Sequence, residues 1–142
     1  AVVDESLRLF PPAWVLSRRV VRGDVLDGVP VPPGTLVILS PWLLQRRGGA
    51  FPEPEAFLPE RWLEPGTDAL ARSQRGEYLP FGLGPRLCIG RDVALVELVL
   101  LLAELLRDHA VASVPGTTVE VEALVTLRPR AGIPLRLTDR HP

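Results

Sequence analysis

The residues best suited to chemistry in this 142-residue chain sit in one short run, Phe81-Gly82-Leu83-Gly84-Pro85-Arg86-Leu87-Cys88-Ile89-Gly90. It holds the only cysteine of the sequence, Cys88, in a glycine-rich turn directly before a long apolar stretch of helical spacing. Amide groups and the macrodipole at a helix start favour an anionic sulfur, and a thiolate is the form that binds metals. Gly84 and Gly90 offer backbone conformations closed to other residues, so a flat cofactor can lie close to the chain. Arg86, two residues before the sulfur, can pair with a carboxylate at such a cofactor's edge. One cysteine excludes an intrachain disulfide and any multi-thiolate zinc or iron–sulfur site, and leaves single-ligand chemistry. Taken alone, a lone Cys before a helix is more often a small buried hydrophobe.

These residues need elements to position them. Ala1 to Leu9 has helical spacing and is stopped by Pro11-Pro12. Val15 to Val21 and Thr35 to Leu39 are short β-branched, apolar runs, with Asp27-Gly28 and Pro32-Pro33-Gly34 as turns between them. Pro41 to Gln45 is read as one helical turn. Gly48 to Pro80 has little periodicity and much Pro, Gly and charge, a length of coil that counts against a compact domain unless it is functional. Arg91 to His109 reads as a long, buried amphipathic helix with Leu95, Leu98, Leu102 and Leu105 at helical spacing. Leu124 to Arg128 and Ile133 to Leu137 read as strands of a hairpin about Pro129 to Gly132. Helix, small sheet, long coil, helix and small sheet make the chain α+β.

Composition narrows the classes. The formal net charge of −1 favours neither nucleic acid nor an anionic membrane as partner. Val93 to Leu106 is too short and too interrupted by Glu97 and Glu104 to span a bilayer. All 16 basic residues are Arg, which suggests a GC-rich bacterial source, and a lone thiol fits a reducing cytosol. Hydrophobic residues make up 46%, and there is no Met. The expectation is therefore a piece of a longer protein, with apolar surface that belongs against something else.

The Phe81 to Gly90 run resembles the haem-binding signature of the cytochrome P450 family at Phe81, Gly84, Arg86, Cys88 and Gly90. Glu5-Ser6-Leu7-Arg8 resembles the family's helical Glu-x-x-Arg pair, whose side chains share one face. Read alone, such a pair is a solvated surface contact of little energetic value. Phe57-Leu58-Pro59-Glu60-Arg61-Trp62 resembles its Pro-Glu-Arg-aromatic segment. The likeness covers nearly the whole chain, roughly the last third of a family member. It departs at Gln45, where many members carry His, and at Gly48-Gly49-Ala50, which bears on loop geometry rather than haem ligation.

The resemblance implies the C-terminal part of a single P450 domain, residues 1–142, with the distal, oxygen-activating helix upstream of Ala1. It implies haem b (iron-protoporphyrin IX) with Cys88 as axial thiolate ligand and Phe81 packed by the sulfur. Backbone amides around Leu87 to Gly90 would tune the sulfur's charge, and Arg86 and Arg19 would hold propionates, with Arg18 a competitor for Arg19. Glu5, Arg8 and Arg61 would form one buried network pinning the coil beneath the haem. Val15, Leu16, Leu124 and Val125 would line the substrate pocket, while Ala94 and Glu97 serve packing and surface. The implied reaction inserts one atom of dioxygen into a small apolar substrate, with electrons from a ferredoxin or a flavoprotein reductase. Arg72, Arg75 and Arg91 flank the cysteine loop and would offer that donor a basic face. A haem-thiolate peroxygenase or isomerase, or a non-catalytic truncated fragment, remain the alternatives.

Overall fold

The computed structural model describes residues 1–140, and the arrangement is α+β. Helix α1, Val2–Leu9, ends at Phe10 before the Pro11-Pro12 pair, which cannot continue it. Strand β1, Leu16–Arg19, pairs antiparallel with β4, Leu36–Leu39, in the register Leu16 opposite Leu39. Between them, β2 (Asp24–Leu26) and β3 (Val29–Val31) form a hairpin. Its two-residue turn, Asp27-Gly28, has φ of 49° and 79°, the pair of positive values that an Asp-Gly turn supplies most readily. The turn is legible in the sequence; strands of three residues are too short to announce themselves.

Helix α2, Pro41–Leu44, is capped by Ser40, whose hydroxyl accepts from the Leu43 amide, with proline at its first position. The long coil that follows is less irregular than its composition suggests. It contains a 3-10 turn at Pro59–Trp62 and helix α3, Ala69–Gln74, whose N-cap Asp68 accepts from the Ala71 amide. A second 3-10 turn, Gly84–Arg86, leads to helix α4, Arg91–Asp108.

The C-terminal strands correct the expected hairpin. β5 (His109–Ser113) pairs antiparallel with β8 (Leu135–Asp139), and β6 (Val121–Ala123) pairs with β7 (Leu127–Pro129). The tight turn therefore lies at Leu124 to Thr126, where the Leu124 amide donates to the Thr126 carbonyl, and not at Pro129 to Gly132. Leu124 and Val125 resemble strand residues because they are apolar, yet they form the exposed tip of the ribbon.

The core is small and is built largely by the coil. Phe51, Trp62 and Tyr78 pack with Leu7 of α1, joined by half-buried Val3, Ala50, Ala69, Phe81 and Leu95. Three guanidinium groups surround the fully buried Phe51 ring: Arg72 at 4.5 Å, Arg8 at 5.2 Å and Arg61 at 6.0 Å. Helix α4 departs from the expectation of a buried amphipathic helix. None of its residues is buried, and Val93, Val96, Val99, Leu100 and Leu101 are all exposed. It is apolar around its circumference, the pattern of a helix surrounded by protein, and the described residues cover only part of it. No helix among the described residues is long and apolar enough to cross a membrane.

Candidate functional site

The cysteine loop closes on itself through backbone hydrogen bonds. The Cys88 amide donates to the Phe81 carbonyl at 2.9 Å, the Leu87 amide to Gly84 at 2.9 Å and the Gly82 amide to Leu79 at 3.1 Å. Gly82 and Gly84 stand at φ of 77° and 71°, where a side chain would be strained. Gly90 differs from expectation. Its φ is −86°, open to any residue, and a Cβ there would make an ordinary contact of 3.9 Å with the Cys88 sulfur, so neither backbone nor space requires glycine. The Phe81 ring packs on the core cluster, so it ties the loop to that cluster.

Cys88 is exposed, just before α4 and its N-cap Gly90, and its carbonyl accepts from the Arg91 amide at 3.3 Å. The Leu87 and Cys88 amides are consumed by the turn. The Ile89 and Gly90 amides have no protein acceptor among the described residues. Around the thiol the surface is apolar: Leu83, Leu87 and Ile89 are exposed, Ile89 completely. A lone thiol on a rigid loop, ringed by uncovered apolar side chains, fits a single-thiolate ligand to a large flat apolar group. Arg86 on this loop is exposed and makes no ion pair among the described residues. Arg19 is exposed as well and donates to the Gly34 carbonyl at 3.1 Å, while Arg18 donates to the Ser17 carbonyl at 2.8 Å.

Glu5, Arg8 and Arg61 meet, in a buried constellation rather than on a solvated helix face. Arg8 holds Glu5 through two hydrogen bonds of 2.8 and 2.9 Å, and both side chains are fully buried. Arg61 Nε reaches Glu5 Oε1 at 3.1 Å, the Leu58 amide donates to the same oxygen at 2.8 Å, and Trp62 Nε1 donates to Oε2 at 2.9 Å. Burial works to raise the Glu5 carboxyl pKa. Hydrogen bonds from Arg8, Leu58 and Trp62, with the Arg8 charge, outweigh it and hold the group below the ordinary carboxylate value. The remaining donors of Arg8 reach the Gln45, Pro54 and Ala56 carbonyls, and those of Arg61 reach Pro52 and Glu53. One carboxylate and two guanidinium groups thus replace the secondary structure that the coil lacks.

Three residues of this framework give no sign of their role in the sequence. Gln45 is fully buried and donates to the last carbonyls of α1, Leu7 and Arg8, at 3.1 and 2.9 Å. Its Oε1 accepts from the Leu79 amide at 2.8 Å, so it joins α1 to the lead-in of the cysteine loop. Trp14 Nε1 donates to the Leu124 carbonyl at 2.9 Å, across 110 positions. Arg72 is buried, donates to the Thr67, Ala50 and Arg61 carbonyls and pairs with Glu77 at 3.6 Å. Burial lowers its pKa from the usual guanidinium value. Arg72 therefore belongs to the core and not to a docking face. Arg75 is paired with Glu77 at 3.0 Å and Arg91 with Asp92 at 2.8 Å, so the expected basic face is largely neutralised.

The four apolar residues expected to line a pocket lie on β1, just before it, and at the tip of the β6–β7 ribbon. Leu16 lies against the cysteine loop, its Cδ1 within 3.9 Å of where a Cβ on Gly82 would stand. Val15, Leu124 and Val125 are exposed, the last almost completely. Ala94 is half-buried and Glu97 exposed, in keeping with packing and surface roles.

Residues 1–131 match the family model described as cytochrome P450. Cyclooctatin synthase of Streptomyces melanosporofaciens is 39% identical over 96% of this chain and 28% of its own length. Pentalenene oxygenase of Streptomyces avermitilis is 38% identical over 99% of this chain and 31% of its own length. Among solved structures, CYP175A1 from Thermus thermophillus superposes with a TM-score of 0.80 at 47% identity, covering 94% of this chain and 32% of that one. A 6-coordinated cytochrome P450 from Thermus thermophilus gives a TM-score of 0.79 at 46% identity, over 94% and 34%. The chain belongs to the cytochrome P450 family, a family of haem proteins with monooxygenases among its members. It spans about a third of the length of these relatives.

Proposed function

We propose that the chain is the haem-ligating, C-terminal portion of a single P450 domain, residues 1–142, in which the Cys88 thiolate would hold the iron of haem b. The observation that carries this reading is the loop itself. It presents one exposed thiol on a backbone locked by the Phe81–Cys88 hydrogen bond, with the Ile89 and Gly90 amides uncommitted beside it. When bound, haem supplies the oxygen-activating chemistry that places one atom of dioxygen in a C–H bond, a task that thiolate donation favours.

The chain's own residues do the rest. The two free amides moderate the sulfur's charge by hydrogen bonding. Arg86 and Arg19 hold the carboxylates at the haem edge, for which unpaired guanidinium groups are suited. Glu5, Arg8 and Arg61 fix the coil beneath. Val15, Leu16, Leu124 and Val125 form apolar wall against a small apolar substrate. A ferredoxin or a flavoprotein reductase supplies electrons, and the bacterial relatives and lone thiol support a bacterial cytosolic setting.

The test is turnover of a generic apolar substrate by the complete, haem-loaded protein under two regimes. Hydroxylation that needs dioxygen and an electron donor supports the monooxygenase reading. Hydroxylation with peroxide alone, and none with dioxygen and donor, would replace it with a peroxygenase.

A further inference from the structure

We infer that Trp14 is a specificity-determining positioning residue, whose indole sets the gap between the two apolar walls Val15-Leu16 and Leu124-Val125. The inference rests on the proposed reading that these walls face the haem.

The β6–β7 ribbon has only three residues per strand and pairs with no other sheet. A two-stranded ribbon of that size is marginal by itself, so outside contacts decide where its tip lies. Among the described residues, two hydrogen bonds link positions 120–130 to the rest of the chain. The Leu127 amide donates to the Pro12 carbonyl at 2.9 Å, and Trp14 Nε1 donates to the Leu124 carbonyl at 2.9 Å. Both grip the segment just before β1. That segment is anchored in turn, because the Ser40 hydroxyl donates to the Trp14 carbonyl at 3.0 Å. Leu16 stands beside the cysteine loop, its Cδ1 3.9 Å from where a Cβ on Gly82 would lie. A path therefore runs from beside the loop that carries Cys88 to the tip that carries Leu124 and Val125, with the Trp14 indole N–H as the one side-chain hydrogen bond to that tip. The side chains on either side of this bond are not spent on the core: Val15 is 37% exposed, Leu124 52% and Val125 96%. An apolar tip held by a single side-chain bond moves when that bond is lost, and the width of the cleft moves with it.

Two measurements test this. In the first, the exchange of indole and amide protons is followed by NMR. The Trp14 indole N–H is slower to exchange than that of Trp42, which has no acceptor among the described residues. Trp14→Phe, or 3-benzothienylalanine at this position to keep the ring outline, speeds exchange of the Leu127 amide several-fold, up to about tenfold, as loss of one net hydrogen bond allows. In the second, the complete haem-loaded protein is titrated with imidazole and with a biphenyl-substituted imidazole. The ratio of the two Kd values changes about threefold or more in Trp14→Phe, while the reduced, CO-bound spectrum stays as in the wild type. Unchanged Leu127 exchange, or a looser ribbon with an unchanged Kd ratio, overturns the inference alone. A wild-type protein that gives no azole difference spectrum overturns it together with the haem reading.

Discussion

Removing the Glu5 carboxylate unties helix α1 from the coil at several points at once. It accepts five hydrogen bonds, two from Arg8 and one each from Arg61, the Leu58 amide and Trp62. Glu5→Ala leaves the Arg8 guanidinium buried without its counter-charge, a defect that costs about 3–5 kcal/mol. A native domain has only about 5–15 kcal/mol of stability, so the variant loses about a fifth of it or more. Arg61→Ala removes three charge-assisted bonds from a side chain that is 9% exposed, and leaves the Glu5–Arg8 pair intact. Its cost is accordingly smaller, about 1.5–3 kcal/mol. Because both act on one carboxylate, the double variant falls short of the sum by about 0.5–3 kcal/mol. Both single variants are expected to fail to incorporate haem in the complete protein. The pH dependence has a definite sign. Glu5 is held below its ordinary pKa on folding, so its contribution is present above the unfolded value of about 4.3 and is lost as pH falls through the lower folded value. Urea unfolding followed through the buried Trp62, from pH 7 to pH 3, checks both claims. Simple additivity, or an Arg61→Ala protein that yields normal holoprotein, would refute the network as a unit.

Gln45→Leu strands the Leu7 and Arg8 carbonyls and the Leu79 amide, and is expected to cost at least about 2 kcal/mol in urea unfolding. Gln45→His, with one donor and one acceptor on the neutral ring, should recover part of that loss. Arg72→Ala should lower Tm through loss of its core contacts, whereas Arg91→Glu should leave Tm nearly unchanged and slow reduction by an acidic ferredoxin-like donor, the rate being followed by stopped flow at two salt concentrations. The 142-residue chain expressed alone should aggregate or bind haem weakly, because the apolar circumference of α4 meets water and burial is worth roughly 25 cal/mol per Å². Light scattering and haem titration check this, and stoichiometric tight binding with regioselective hydroxylation would contradict it.

Much of this is legible in the amino-acid sequence, for reasons that differ by residue. The Cys88 loop, the Glu5–Arg8 pair and Arg61 are local patterns, and a local pattern survives in sequence. Helices α1 and α4 follow from spacing and from Pro11-Pro12, and the β1 and β4 strands from their β-branched runs. What the sequence hides is long-range or compositional. Gln45 bonds to residues 34 to 38 positions away, and Trp14 to one 110 positions away, with nothing in the intervening chain to mark either pairing. Arg72 reads as a surface charge because guanidinium burial depends on Phe51 and Trp62, which the coil brings together only in three dimensions. The C-terminal hairpin is misplaced on sequence grounds because apolar Leu124 and Val125 imitate a strand while serving as an exposed tip. The same ambiguity makes α4 read as buried: apolar composition shows that a helix wants cover, not that it has it.

The central claim is that Cys88 binds the iron through its thiolate, and the reduced, CO-bound absorption spectrum of the complete protein tests it most directly. Wild-type protein should show the red-shifted Soret band of thiolate ligation, and Cys88→Ser should lose it while keeping the unfolding midpoint of the apoprotein, since the exposed thiol makes no core contact. A red-shifted band that survives in Cys88→Ser would contradict the account.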